Sequence, residues 1–204
     1  MTETEINKAL DNKDYRIKYS AIIDPNATPA NIDKALSNID WQIRVAAIKH
    51  NNATEANIDK ALNDEEIDVR CYAIKHKNAT PANIDKALDD VSSYVRQTAA
   101  GKMNITTDNI DKALNDINWL TRIFAIEKPN ASPVNIDKAL NDELIRVRKA
   151  AISHPNASPD NIDKAIKDKD FDIRVAAANH MKATNVQKEQ VANDPMLISY
   201  LLKK

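Results

Sequence analysis

Four histidines, His50, His76, His154 and His180, are the side chains in this chain best suited to hold a metal or move a proton near neutral pH. Within each of the pairs 50/76 and 154/180 the spacing is 26 residues. A shared zinc ion needs its ligands within about 2.1 Å, whereas stacked helices lie about 8–10 Å apart. No second ligand recurs beside the histidines, and Cys71 is the only cysteine. A position at a helix C-terminus, where the dipole favours a cation, accounts for them better than a metal site. A glycine-rich phosphate loop, a Ser-His-Asp signature and a His-Glu-x-x-His pair are all missing from the sequence. The chain therefore reads as non-enzymatic, with no cofactor and no metal expected.

Two cationic series have the same spacing. Arg44, Arg70, Arg96, Arg122, Arg148 and Arg174, preceded by Lys18, fall on the buried side of a helix. A half-buried guanidinium requires a carboxylate or carbonyl partner. The series Asp33, Asp59, Asp85, Asp111, Asp137 and Asp163 offers one set of partners, and the turn aspartates beginning at Asp64 offer another. Pairing is favoured over phosphate binding. Lys8, Lys34, Lys60, Lys86, Lys112, Lys138 and Lys164 form an outward row that could follow a nucleic-acid backbone. Carboxylates accompany every copy and the net charge is −1, so a solvated face is expected instead.

These spacings come from seven copies of one hexapeptide, Glu5–Leu10 and then Asn31-Ile32-Asp33-Lys34-Ala35-Leu36, recurring from Asn57, Asn83, Asn109, Asn135 and Asn161. A fixed period of this length signals a repeat array. Each unit reads as two short helices. Thr28 and its equivalents Thr54, Thr80, Thr106, Ser132, Ser158 and Thr184 cap helix A, often followed by proline. Ile32, Ala35 and Leu36 share its buried face. A polar turn follows, and Asp14, Asp40, Ser92, Asn118 and Asp170 are suited to cap helix B, Glu66 and Leu144 less so. Helix B, about Trp41 to His50, should bury Ile43, Arg44, Ala47 and Ile48. The Asn-x-Ser/Thr triplets from Asn26 to Asn156 read as turn-and-cap elements rather than glycosylation sites. One unit has too few large apolar side chains to fold alone, so neighbours must stack.

The ends and the centre depart from the pattern. Residues 1–4 read as a frayed tail with no signal peptide, and Gly101 as a kink or an early end of helix B. From Asn185 a further helix A is expected, then a last helix from Pro195 through Leu202, together a C-terminal cap over 185–204. The expected organisation is one domain, 1–204, with repeats over about 3–184. No membrane span is expected, and one cysteine without a leader fits a cytoplasmic setting.

Positions that repeat report stacking, and positions that vary report what has been tuned. Helix B's outward positions vary sharply. They supply the candidate partner-binding residues Trp41, Tyr72, Tyr94, Gln97, Trp119, Leu120, Ile123, Phe124, Arg146 and Lys149. The cluster around Trp119 and Phe124 is the densest. Packing between repeats is the alternative role for Trp41 and Phe171.

Thr80-Pro81, Ile84, Ala87-Leu88 and Val95-Arg96 carry a pattern that resembles HEAT-like repeats, and especially leucine-rich repeat variants. The resemblance covers nearly the whole chain. It implies an all-α, right-handed α-solenoid of seven two-helix repeats plus the C-terminal cap, with second helices lining one surface and an Asp–Arg ladder locking neighbours. It also implies a protein–protein interaction scaffold binding a protein or peptide along the helix-B face. Two alternatives are nucleic-acid binding, by analogy with HEAT-like DNA-repair glycosylases, and a structural assembly subunit.

Overall fold

The computed structural model describes residues 1–194; the expected last helix, from Pro195, lies outside the described residues. The fold is all-α, built of two-helix repeats, and the chain divides into two compact units, Met1–Asn104 and the residues from Ile105 onward.

The first unit runs α1 (Glu3–Leu10), α2 (Tyr15–Ile22), α3 (Pro29–Ala35), α4 (Trp41–Ile48), α5 (Glu55–Ala61), α6 (Ile67–Lys75), α7 (Pro81–Ala87) and α8 (Ser93–Ala100). Odd-numbered helices are the A helices and pack on one another in sequence; even-numbered helices are the B helices and do the same. Each A helix opens with a capping box. The Thr28 hydroxyl accepts the Asn31 backbone N–H, and the Asn31 side-chain oxygen accepts the Thr28 N–H. Thr54 with Asn57 and Thr80 with Asn83 repeat the arrangement. The core is a column of isoleucines, Ile32, Ile58 and Ile84, facing Ile43, Val69 and Val95 from the B helices, all without exposed surface. Ala21, Ala47, Ala73 and Ala99 are equally buried, and their small side chains permit the close approach of successive B helices.

The second unit runs α9 (Thr107–Ala113), α10 (Trp119–Ile126), α11 (Pro133–Ala139), α12 (Ile145–Ile152), α13 (Pro159–Ala165), α14 (Phe171–Ala178) and α15 (Asn185–Ala192). Thr106, Ser132, Ser158 and Thr184 form its capping boxes, with Gln187 replacing asparagine in the last. Its core continues the same positions, Ile110, Ile136 and Ile162 with Val147 and Ile173.

Three local expectations are corrected. Residues 1–4 are not frayed: Thr2 caps α1 through a box with Glu5, and Glu3 begins the helix. Gly101 neither kinks nor shortens α8. It is an ordinary C-cap at φ −72°, matching Lys49 after α4 and Glu127 after α10. Asp14, Asp40 and Asn118 cap their B helices, but Ser92 and Asp170 make no such bond. Asp170 is drawn instead to Arg148.

Candidate binding surface

The residues that recur in each repeat are engaged between repeats. Arg44 Nε and Nη2 donate to both carboxylate oxygens of Asp64 in the next repeat, at 2.7 and 2.8 Å, and Nη1 donates to the carbonyls of Asn38 and Ile39. Arg70 with Asp90, Arg122 with Asp142 and Arg148 with Asp168 repeat this geometry. The bond to Asp64 raises the Arg44 pKa above its already high value against the opposing effect of burial. Of the two carboxylate series open in the sequence, the turn aspartates are the partners.

The series from Asp33 pairs with lysine instead, so the lysine row is not simply a solvated face. Lys60 Nζ donates to the carbonyl and to the carboxylate of Asp33, at 2.7 and 2.9 Å. Lys86 does the same to Asp59, Lys138 to Asp111 and Lys164 to Asp137. Each lysine delivers its charge to the preceding A helix.

The histidines also join repeats. Nδ1 of His50 accepts the Asn52 backbone N–H, which leaves Nε2 protonated to donate to the Asp24 carbonyl at 3.0 Å. His76 donates to His50, His154 to Lys128 and His180 to His154, in each case to the backbone carbonyl. Burial lowers the His76 pKa more than its backbone bond raises it. The helix-end reading located these rings and missed this bond. Among the described residues no group of three or more His, Cys, Asp or Glu is arranged to hold a metal.

Sequence reasoning missed the role of two asparagines per repeat. Asn57, placed beside the apolar stripe, is buried, and its Nδ2 donates to the Pro29 carbonyl of the preceding repeat. Asn78 donates to the Ala53 carbonyl, and Asn104, Asn130 and Asn156 make the equivalent bond. Their recurrence at the repeat period, in six copies each, was the available signal.

The varying B-helix positions behave differently. In the first unit Trp41 is exposed at the start of α4, and Tyr72 and Tyr94 are exposed on α6 and α8. Gln97 is half-buried on α8. Lys75 stands between the two tyrosines, 5.7 Å from the Tyr72 ring centre and 5.3 Å from that of Tyr94. Lys49 covers Tyr72 at 4.8 Å. In the second unit the Arg146 guanidinium lies 5.4 Å from the Trp119 ring centre, joining two of the expected residues. Trp119 and Ile123, and Leu120 and Phe124, are neighbours one turn apart along α10. Phe124, Arg146 and Lys149 are exposed; Trp119, Leu120 and Ile123 are half-buried.

Other apolar side chains exposed at the surface went unnoticed in the sequence. Ile39 and Val91 in the first unit, and Ile117 in the second, occupy the A–B turn and are more than nine-tenths exposed. Tyr19, Ile23 and Val45 line a groove of about 520 Å³ in the first unit, whose rim carries Lys49 and Asn52.

No helix among the described residues is long and apolar enough to cross a membrane. No family model matches the chain, and no curated protein does. A solved structure described as "a leucine-rich repeat variant with a novel repetitive protein structural motif" is similar, with a TM-score of 0.65 and 14% identity over 94% of this chain and 81% of that one. Identity that low speaks for the fold alone. The chain is an all-α repeat solenoid, similar in fold to that leucine-rich repeat variant and distant from it in sequence.

Proposed function

We propose that the chain is an interaction scaffold that takes a protein or peptide along its B-helix face. One observation carries this reading. The recurring polar residues are engaged in bonds between repeats, while the varying B-helix positions hold aromatic and aliphatic groups at the surface. Exposed aromatics beside cations are the side chains that most often anchor a protein interface. In the second unit Trp119, Leu120, Ile123 and Phe124 supply apolar anchors, and Arg146 and Lys149 supply orientation. In the first unit Trp41, Tyr72, Tyr94 and Gln97 occupy the corresponding positions.

The test is affinity capture from lysate of the native source after nuclease treatment. The chain is compared with a Trp119→Ala/Phe124→Ala variant whose helical circular dichroism and urea midpoint are checked first. A protein retained by the chain and lost by the variant supports the reading. Retention by both removes the second unit's face from it. Capture that disappears with nuclease transfers the role to nucleic acid, and capture of further copies of the chain alone transfers it to self-assembly.

A further inference from the structure

Three successive B helices in the first unit are joined at their surface by alternating cations and rings: Lys49 on Tyr72, Tyr72 on Lys75, and Lys75 on Tyr94. Lys75 Nζ also donates to the Tyr94 hydroxyl at 3.2 Å, which raises the lysine pKa and keeps it charged. Each ammonium is therefore held in place against a ring while retaining N–H donors for a further partner.

The charge is divided along the B helices. At the C-terminal ends of α4 and α6 stand Lys49 and Lys75, whereas the acidic Asp14, Asp40, Glu66 and Asp68 lie at the opposite, N-terminal ends of the B helices. Beside Lys49 lies the groove of about 520 Å³, walled by Tyr19, Ile23, Val45 and Ala46. A cationic pair of fixed position next to a recess with one apolar wall, completed by His50, Asn51 and Asn52, is complementary to a chain that carries carboxylates beside a bulky apolar residue.

We infer that the B-helix face of residues 1–104 binds an extended acidic protein segment, with carboxylates on Lys49 and Lys75 and an apolar side chain in the groove beside Lys49. This rests on the scaffold reading and specifies the partner's chemistry. Stacked helices lie about 8–10 Å apart and an extended chain advances about 3.3 Å per residue, so the two carboxylates stand three residues apart. Single-stranded nucleic acid is the lesser fit. It binds such faces by stacking bases on open rings, and here ammonium groups occupy faces of Tyr72 and Tyr94.

The test pans a display library of short random peptides on the full chain and measures selected peptides by fluorescence anisotropy, with oligothymidylate as a competitor. Selected peptides are expected to be rich in Asp and Glu spaced three apart. Lys49→Gln/Lys75→Gln should weaken them about tenfold. Lys49→Glu/Lys75→Glu should select basic peptides instead, with circular dichroism confirming that both variants fold. Peptides without acidic preference, or acidic peptides that bind all three proteins alike, overturn the inference. If the non-acidic peptides are lost on Trp119→Ala/Phe124→Ala, the scaffold reading survives that failure. Selection of no peptide counts against both, and tighter binding of oligothymidylate than of any peptide overturns the inference in favour of nucleic acid.

Discussion

Arg70 grips Asp90 across a repeat boundary with two parallel bonds, Nε to Oδ2 at 2.7 Å and Nη2 to Oδ1 at 3.1 Å, and both side chains are less than one-tenth exposed. Its remaining nitrogen, Nη1, holds the carbonyls of Asp64 and Glu65. Arg70→Ala leaves a buried carboxylate and two carbonyls without this partner. The expected loss is about 3–5 kcal/mol, read as a fall in the urea midpoint. A loss below about 1 kcal/mol, the range of an exposed pair, shows that solvent relaxes the site.

Thr121 carries a fully buried hydroxyl with no hydrogen-bond partner among the described residues. The equivalent position is Ile43, Val69, Val95, Val147 or Ile173 in other repeats, all fully buried. Thr121→Val keeps the shape and removes the orphaned oxygen, so it should stabilise the chain by about 1–3 kcal/mol in the same titration. An unchanged or lower midpoint means that the hydroxyl has a partner in solution.

Asn57 serves its own helix and its neighbour at once, accepting from the Thr54 N–H and hydroxyl and donating to the Pro29 carbonyl. Asn57→Ala strands those groups and should cost about 1–3 kcal/mol. Amide hydrogen exchange gives a local check. The Thr54 amide should lose protection well beyond the global change, and equal loss at all amides contradicts the assignment.

His76 is held neutral, with a pKa lowered chiefly by burial. An unfolded histidine titrates near about 6.5, so the unfolded chain binds the extra proton first as pH falls. The stabilisation is complete above that value and is lost as pH drops from it toward the lower folded pKa. The melting temperature should therefore fall on acidification from about pH 7 to about pH 5, and His76→Gln should flatten part of that slope. A slope unchanged by the substitution assigns the effect to other groups.

The helices were legible because their signals are local. Thr28 and Pro29 start α3, the spacing of Ile32, Ala35 and Leu36 fixes its buried face, and both signals recur at a constant period. The chemistry between repeats was only partly legible. Arg44 lies on a buried face, so a partner was required, but two aspartate series satisfied the same rule. The destination of Lys60 could not be read from one helical wheel, because its stem spans the gap to another helix. Asn57 looked like a flank of the apolar stripe for the same reason: its partner lies 28 positions away. Ile39, Val91 and Ile117 sit in polar turns, where exposure follows from the path of the chain rather than from any periodicity.

Lys86 reaches 27 positions back to Asp59, Asn104 reaches 25 back to Ala79, and Arg44 reaches 20 forward to Asp64. Excising residues 54–79 would offer these side chains Asp33, Ala53 and Asp90 instead, the same residue types in the same register. Chain length is thus a quantity that gene duplication or deletion can change in whole steps without inventing a new contact. Copy number can be selected for reach, while the interior of each cassette stays as it is.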